Sequence, residues 1–129
     1  MSVLPAADRA LRGDARASLV ARVAGVTLFA AGLVKFAAYG WELDNFRRFG
    51  LRAAPAWVVA AGLVEIVGGA LLVGGRAVVP AATVLAITMA VAIGVSGIAQ
   101  GDVLPSLTLA PALLVALLFV LRRATNQLR

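Results

Sequence analysis

Two ionisable side chains stand inside long apolar stretches of this chain. Lys35 is the only lysine, and Glu65 is the only carboxylate within such a stretch. An ionisable group at the centre of a membrane helix costs on the order of 2.5–3.5 kcal/mol, so such groups usually pair and face the protein interior or a cavity. Lys35 and Glu65 are therefore the first candidates for a functional site.

The chemistry of the two residues depends on whether they meet. If paired, they form a clamp between helices or line a pocket for a ligand or a quinone. If the lysine instead extends to the membrane surface, Glu65 becomes a lone protonatable group suited to proton-coupled transport. A buried ion pair is weak evidence for stability, because desolvation offsets the attraction, so all three roles stay open.

Glycines flank both charges at helical spacing, which places small residues on the same helix faces. Membrane helices approach closely along such faces, so the pattern predicts that both charges point into a bundle of helices. The predicted packing glycines are Gly25, Gly32, Gly62 and Gly69.

Composition indicates an integral membrane protein. The 129 residues are 62% hydrophobic, against about 45–50% in soluble domains. Four apolar segments are long enough to span a bilayer. They cover residues 19–39, 53–75, 77–99 and 103–121. We expect an all-α four-helix bundle at 19–123, a cytoplasmic lead-in at 1–18 and a cytoplasmic tail at 124–129. Pro111 predicts either a kink in the fourth helix or a later start.

Composition also narrows the chemistry. The chain has no cysteine and no histidine, which removes disulfides, thiol relays, thiolate or imidazole metal sites and His-ligated haem. We expect no covalently bound cofactor, haem or metal. The net charge of +6 reflects arginines that flank membrane spans rather than a nucleic-acid site, for which no motif is present.

The arginines also predict the orientation. Eight lie in the lead-in, in the first turn of the first span, in the second loop and after residue 121, whereas three lie in the first loop and none in the third. Because basic residues accumulate on the cytoplasmic side, both termini are expected in the cytoplasm of a cell whose inner membrane holds the protein.

The first loop carries an amphipathic pattern. Leu43, Phe46 and Phe49 share one helical face. This pattern predicts a short helix that lies at the membrane–water interface on the external side of the membrane. A plain anchoring loop without a ligand is the alternative. Aromatic residues at the same level would form an interfacial belt. The belt residues are Tyr39, Trp41 and Trp57.

Several motifs in order resemble the DoxX family of small bacterial membrane proteins, and the MauE-like family is a near relative. Over residues 20–123 they are Arg22, then Phe29-x-x-Gly32-x-x-Lys35, Phe49-Gly50-Leu51 before Pro55-Ala56, Glu65-x-x-Gly68-Gly69-x-Leu71-Leu72-x-Gly74, and Leu107-Thr-Leu-Ala-Pro111.

The resemblance implies a four-helix membrane protein that serves as a subunit or anchor of a quinone-linked or oxidative-stress redox system. It implies redox-enzyme partner subunits or a homo-oligomer, and it allows a quinone as ligand. Many members carry a histidine after the third helix, which this chain lacks. A non-enzymatic scaffold and a small proton-coupled transporter using Glu65 remain the alternatives.

Overall fold

A computed structural model of the chain describes residues 3–48, 50, 52–98 and 108–127. Within these residues the structure is helical and contains no strand, which confirms the predicted all-α class. The helices are α1 (Val3–Arg12), α2 (Ala15–Ala37), α3 (Tyr39–Arg48), α4 (Ala54–Gly74), α5 (Val78–Ala92, continued by a π-helical segment, Ile93–Ile98) and α6 (Leu109–Gln127).

Four of these helices are long and apolar enough to cross a membrane: α2, α4, α5 with its continuation, and α6. The protein is therefore a multi-pass membrane protein. Helix α2 begins at Ala15, earlier than the predicted segment, because the Asp14 side chain accepts a hydrogen bond from the Ala17 amide at 3.1 Å and caps the helix. Pro111 lies in the first turn of α6, where amide groups have no acceptor within the helix, so the lack of an N–H group costs no hydrogen bond.

The four spans form a closed ring in which α2 packs on α4 and α6, and α5 packs on the other side of α4 and α6. Large apolar side chains fill its centre. Those fully buried include Leu28, Leu72, Leu85, Leu117 and Val120. We call the end of the bundle with α1 and the α4–α5 turn the α1 end, and the opposite end, with α3, the α3 end.

Helix α1 is bound to the α1 end through its own buried face. Ala7 and Leu11 are buried, and Asp8 accepts hydrogen bonds from the Ala77 amide at 2.8 Å and the Val78 amide at 2.9 Å. Ala77 has a left-handed backbone with φ of 47°, which is unfavourable for a residue with a Cβ. The carboxylate of Asp8 thus supplies the cap that the local sequence of α5 lacks.

A second link at the α1 end joins α6 to the start of α2. Arg123 Nε lies 2.9 Å from Asp14 Oδ2, and its Nη2 donates to Oδ1 at 3.2 Å. The guanidinium also lies 5.4 Å above the centre of the Phe119 ring. The hydrogen bond from the Ala17 amide and the charge of Arg123 hold the pKa of Asp14 below its usual range. The predicted lead-in and the end of α6 are therefore parts of one packed helical end.

Candidate functional site

The structure brings Lys35 and Glu65 together. Lys35 Nζ donates to Glu65 Oε2 at 3.1 Å. The pair joins the last turn of α2 to the middle of α4, and the two side chains are 13% and 5% exposed. Lys35, near the end of α2, extends along α4 to reach Glu65. Of the two alternatives, pairing or extension to the membrane surface, the structure has the pair.

Two glycines lie where α2 and α4 approach each other beside the ion pair. A Cβ placed on Gly62 would lie 3.4 Å from the Lys35 Cβ and 2.7 Å from Phe36 Cε2. A Cβ placed on Gly32 would lie 2.8 Å from the Gly62 carbonyl oxygen. Since real Cβ atoms essentially never come this close to backbone, the approach of α2 and α4 beside the ion pair requires glycine at position 32. At position 62 the close neighbour is the ring of Phe36, a side chain.

The same contact continues two turns away along both helices. A Cβ on Gly25 would lie 2.7 Å from the Gly69 oxygen, and one on Gly69 would lie 2.6 Å from the Gly25 oxygen. All four predicted packing glycines therefore lie in one interface between α2 and α4. This interface sets the distance across which Lys35 must reach.

A second carboxylate, Glu42, lies close to the pair. It sits on α3, and its charge acts on both Lys35 and Glu65. Partial burial raises the pKa of Glu42, and the positive charge of Lys35 opposes that rise. Sequence reasoning missed this residue, because Lys35 lies on α2 and Glu42 on α3, and residue spacing does not give the direction in which α3 leaves α2.

Helix α3 presents polar residues inward. Asn45 is buried at 8% exposure, and its Oδ1 accepts a hydrogen bond from Arg48. Leu43 and Phe46, the residues of the predicted apolar face, are half-buried. The short helix expected in the first loop is therefore present, with Glu42 and Asn45 directed at the bundle.

The predicted aromatic belt residues lie on or next to this helix. Tyr39 is half-buried at the start of α3, whereas Trp41 and Trp57 are 58% and 52% exposed. Exposed indoles flanking the ends of spans are typical of an interfacial belt. Phe49, the remaining predicted interfacial residue, lies outside the described residues.

An apolar groove lies on the other side of α4 from the ion pair. This groove between α4 and α5 has a volume of about 430 Å³ and apolar walls. Leu63, Val67 and Leu71 line it from α4, and Pro80 and Val84 from α5. It carries no ionisable group, so the chemistry of the chain concentrates at the ion pair.

The arrangement supports hydrogen bonding and proton exchange at membrane depth. The Lys35 ammonium group pairs with Glu65, also acts on the charge of Glu42, and has three N–H donors. One of these is directed to Glu65. The remaining donors suit a carbonyl oxygen or an anionic oxygen, and Glu42 of α3 is a second, half-buried carboxylate whose charge acts on the pair.

The fold and the site define a four-span integral membrane protein with an ion pair between its first two spans. The chain belongs to the DoxX family, whose model matches residues 17–98. The match includes Lys35, Glu42 and Glu65 and the helices that carry them, while α6 lies outside it. No curated protein and no solved structure matches the chain.

Proposed function

We propose that this DoxX-family protein is the membrane subunit of a quinone-linked redox system and that Lys35 and Glu65 bind the quinone headgroup. The Lys35–Glu65 pair between α2 and α4 carries the proposal. It offers a positively charged donor for a carbonyl oxygen, held in place by the Glu65 carboxylate, inside a span where polar groups are otherwise rare.

The residues fit a quinone in their donor set. The ammonium of Lys35 directs one N–H to Glu65 and keeps two further donors, and the side chain is 13% exposed. Lys35 would orient the carbonyl, Glu65 would hold the ammonium in place, and Glu42 would exchange protons with the surface. A bound quinone would supply the two-electron chemistry itself. Because the chain has neither cysteine nor histidine, a partner subunit would supply the electrons.

Quinone binding is testable on the purified protein. A short-chain ubiquinone analogue should quench the fluorescence of Trp41 and Trp57, which lie near the α3 end. Lys35→Met should weaken binding by about tenfold or more, as expected for loss of a hydrogen bond to a charged group. Arg47→Met, an exposed change of equal charge on α3, is the matched control. Equal affinity in all three proteins would contradict the proposal.

The scaffold alternative makes a different prediction in the same preparation. A scaffold would retain partner proteins during gentle purification but show no saturable quinone binding in any variant. The transporter alternative is disfavoured by the pairing, because a carboxylate neutralised by Lys35 at 3.1 Å does not need a proton to be tolerated in the membrane.

We also propose that both termini face the cytoplasm of the cell membrane. The excess of arginines at the α1 end, which includes Arg12, Arg22 and Arg76, supports this orientation. Reporter fusions after Arg76 should then be cytoplasmic, and fusions at Asp44 in α3 should be external. A fusion at Arg76 that reads external would reverse the orientation and place Glu42 on the cytoplasmic side.

A further inference from the structure

A small crevice opens at the α1 end, far along the bundle from the ion pair. It lies between α1, α2 and the α4–α5 turn and has a volume of about 30 Å³. Its apolar lining includes Leu11, Leu72 and Val78, all of which are buried. Its polar lining consists of the exposed Arg12 and Arg22 and the half-buried Ser18. The crevice thus combines two guanidinium groups and a hydroxyl with an apolar floor.

The acidic residues at this end are already engaged elsewhere. Asp8 accepts the Ala77 and Val78 amides, and Asp14 pairs with Arg123. Across residues 3–48, 50, 52–98 and 108–127, neither Arg12 nor Arg22 makes an ion pair. The two guanidiniums beside the crevice are therefore available for an anion from outside the chain.

The α4–α5 turn holds one of these arginines in place. The Cγ and Cδ atoms of Arg12 lie 3.0 and 3.1 Å from the position of a Cβ on Gly75. Gly75 has a left-handed backbone with φ of 68°, which favours glycine. The aliphatic stem of Arg12 consequently packs flat against the turn, which restricts where its guanidinium can go.

We propose that this crevice binds the phosphate group of an anionic phospholipid. Guanidinium groups bind phosphate oxygens through paired, charge-assisted hydrogen bonds, and the Ser18 hydroxyl adds a donor. The crevice lies where α2 begins and α4 ends, which is the level of lipid headgroups beside two membrane spans. Next to Arg22 on α2, the side chains of Leu19 and Val23 are 64% and 59% exposed; they suit the acyl chains of a lipid, which a free phosphate ion lacks.

The test measures retention of phosphatidylglycerol by the purified protein in a zwitterionic detergent, using native mass spectrometry. We expect the wild-type protein to bind phosphatidylglycerol in preference to phosphatidylcholine. The double variant Arg12→Gln/Arg22→Gln should lose about tenfold or more in affinity, since it loses the charge-assisted hydrogen bonds. The matched control is Arg9→Gln/Arg16→Gln, which removes two exposed arginines of the same end that do not line the crevice.

A second variant separates binding from folding. Ser18→Leu fills the crevice and keeps both arginines, so it should also lose phosphatidylglycerol while its helical circular dichroism stays that of the wild type. Equal losses in the two double variants would show only general surface charge and would overturn the proposal. Stabilisation by millimolar inorganic phosphate equal to that by the lipid, with the same dependence on Arg12 and Arg22, would assign the site to a free anion and would overturn it too.

Discussion

Gly62 of α4 lies directly against the stem of Lys35, whose Cβ is 3.4 Å from the position that a Cβ on Gly62 would take. The missing side chain lets the lysine run along α4 until its ammonium meets Glu65, one helical turn further on. Packing and chemistry therefore meet at this position: Gly62 lies in the contact between α2 and α4, beside the lysine that pairs with Glu65.

The ion pair predicts strong coupling between two substitutions. Lys35→Met alone and Glu65→Gln alone should each destabilise the protein, by about 3–5 kcal/mol where the site is dry, because each leaves a buried charge or polar group without its partner. The double variant should recover much of this loss. Thermal unfolding in detergent of the four proteins forms a double-mutant cycle. Simple additivity of the two single effects would mean that the side chains do not interact.

The same cycle separates a clamp from a working site. For a clamp, the double variant should regain stability and any measurable activity together. For the quinone site proposed above, stability should return while quinone binding stays lost, because the donor of Lys35 is absent from both the single and the double variant.

The glycine interface predicts a steric penalty at Gly69 and none at Gly74, the last residue of α4. Gly69→Ala would bring a Cβ within 2.6 Å of the Gly25 oxygen and 2.7 Å of the Phe29 amide nitrogen, and backbone atoms cannot move aside. We expect a loss of roughly 1–3 kcal/mol, as for other overpacked interiors. Gly74→Ala is the matched control, since its Cβ meets nothing within 4 Å. Equal unfolding temperatures for the two variants would argue against the tight α2–α4 contact.

The cap across the α1 end predicts that a residue of α1 stabilises α5. Asp8→Ala removes the acceptor of both the Ala77 and Val78 amides, and we expect a loss of about 0.5–2 kcal/mol, the range for helix caps. Hydrogen exchange measured by mass spectrometry should increase in the first turn of α5. Asp44→Ala, at an exposed site of α3, should leave that exchange unchanged.

Glu42 predicts a pH dependence of a definite sign. Burial raises its pKa above the ordinary value of 4.5, so the folded protein holds this proton more tightly than the unfolded chain. The resulting stabilisation is present below the ordinary value and is lost as the pH rises through the raised one. Lys35 and Glu65 are the charged groups that act on it and stay unchanged in the test.

Glu42→Gln should therefore remove part of the fall in stability with rising pH and should leave the variant more stable than the wild type at neutral pH. Unfolding temperatures measured from pH 4 to 8 check this, with Asp44→Asn on the same helix as the control. A variant whose pH profile matches that of the wild type would show that Glu42 does not titrate in this range.

The span pattern was predictable from the sequence because hydrophobic length is a local property of the chain. Residue types and helical spacing were enough to predict the four apolar segments and the short helix of the first loop. They were also enough to select Lys35 and Glu65 as candidates. Helix ends were less predictable: α2 begins at Ala15 because of a cap by Asp14, and α6 continues to Gln127.

Only the tertiary structure decided which groups meet. Asp8 caps Val78 across a separation of 70 residues, and Arg123 pairs with Asp14 across 109. Neither contact can be predicted from the spacing of residues along the chain, because both depend on how whole helices pack against one another. The same holds for the Lys35–Glu65 distance of 3.1 Å: glycine spacing indicates which faces are small, but the lysine's choice between Glu65 and the membrane surface depends on how closely α2 and α4 pack.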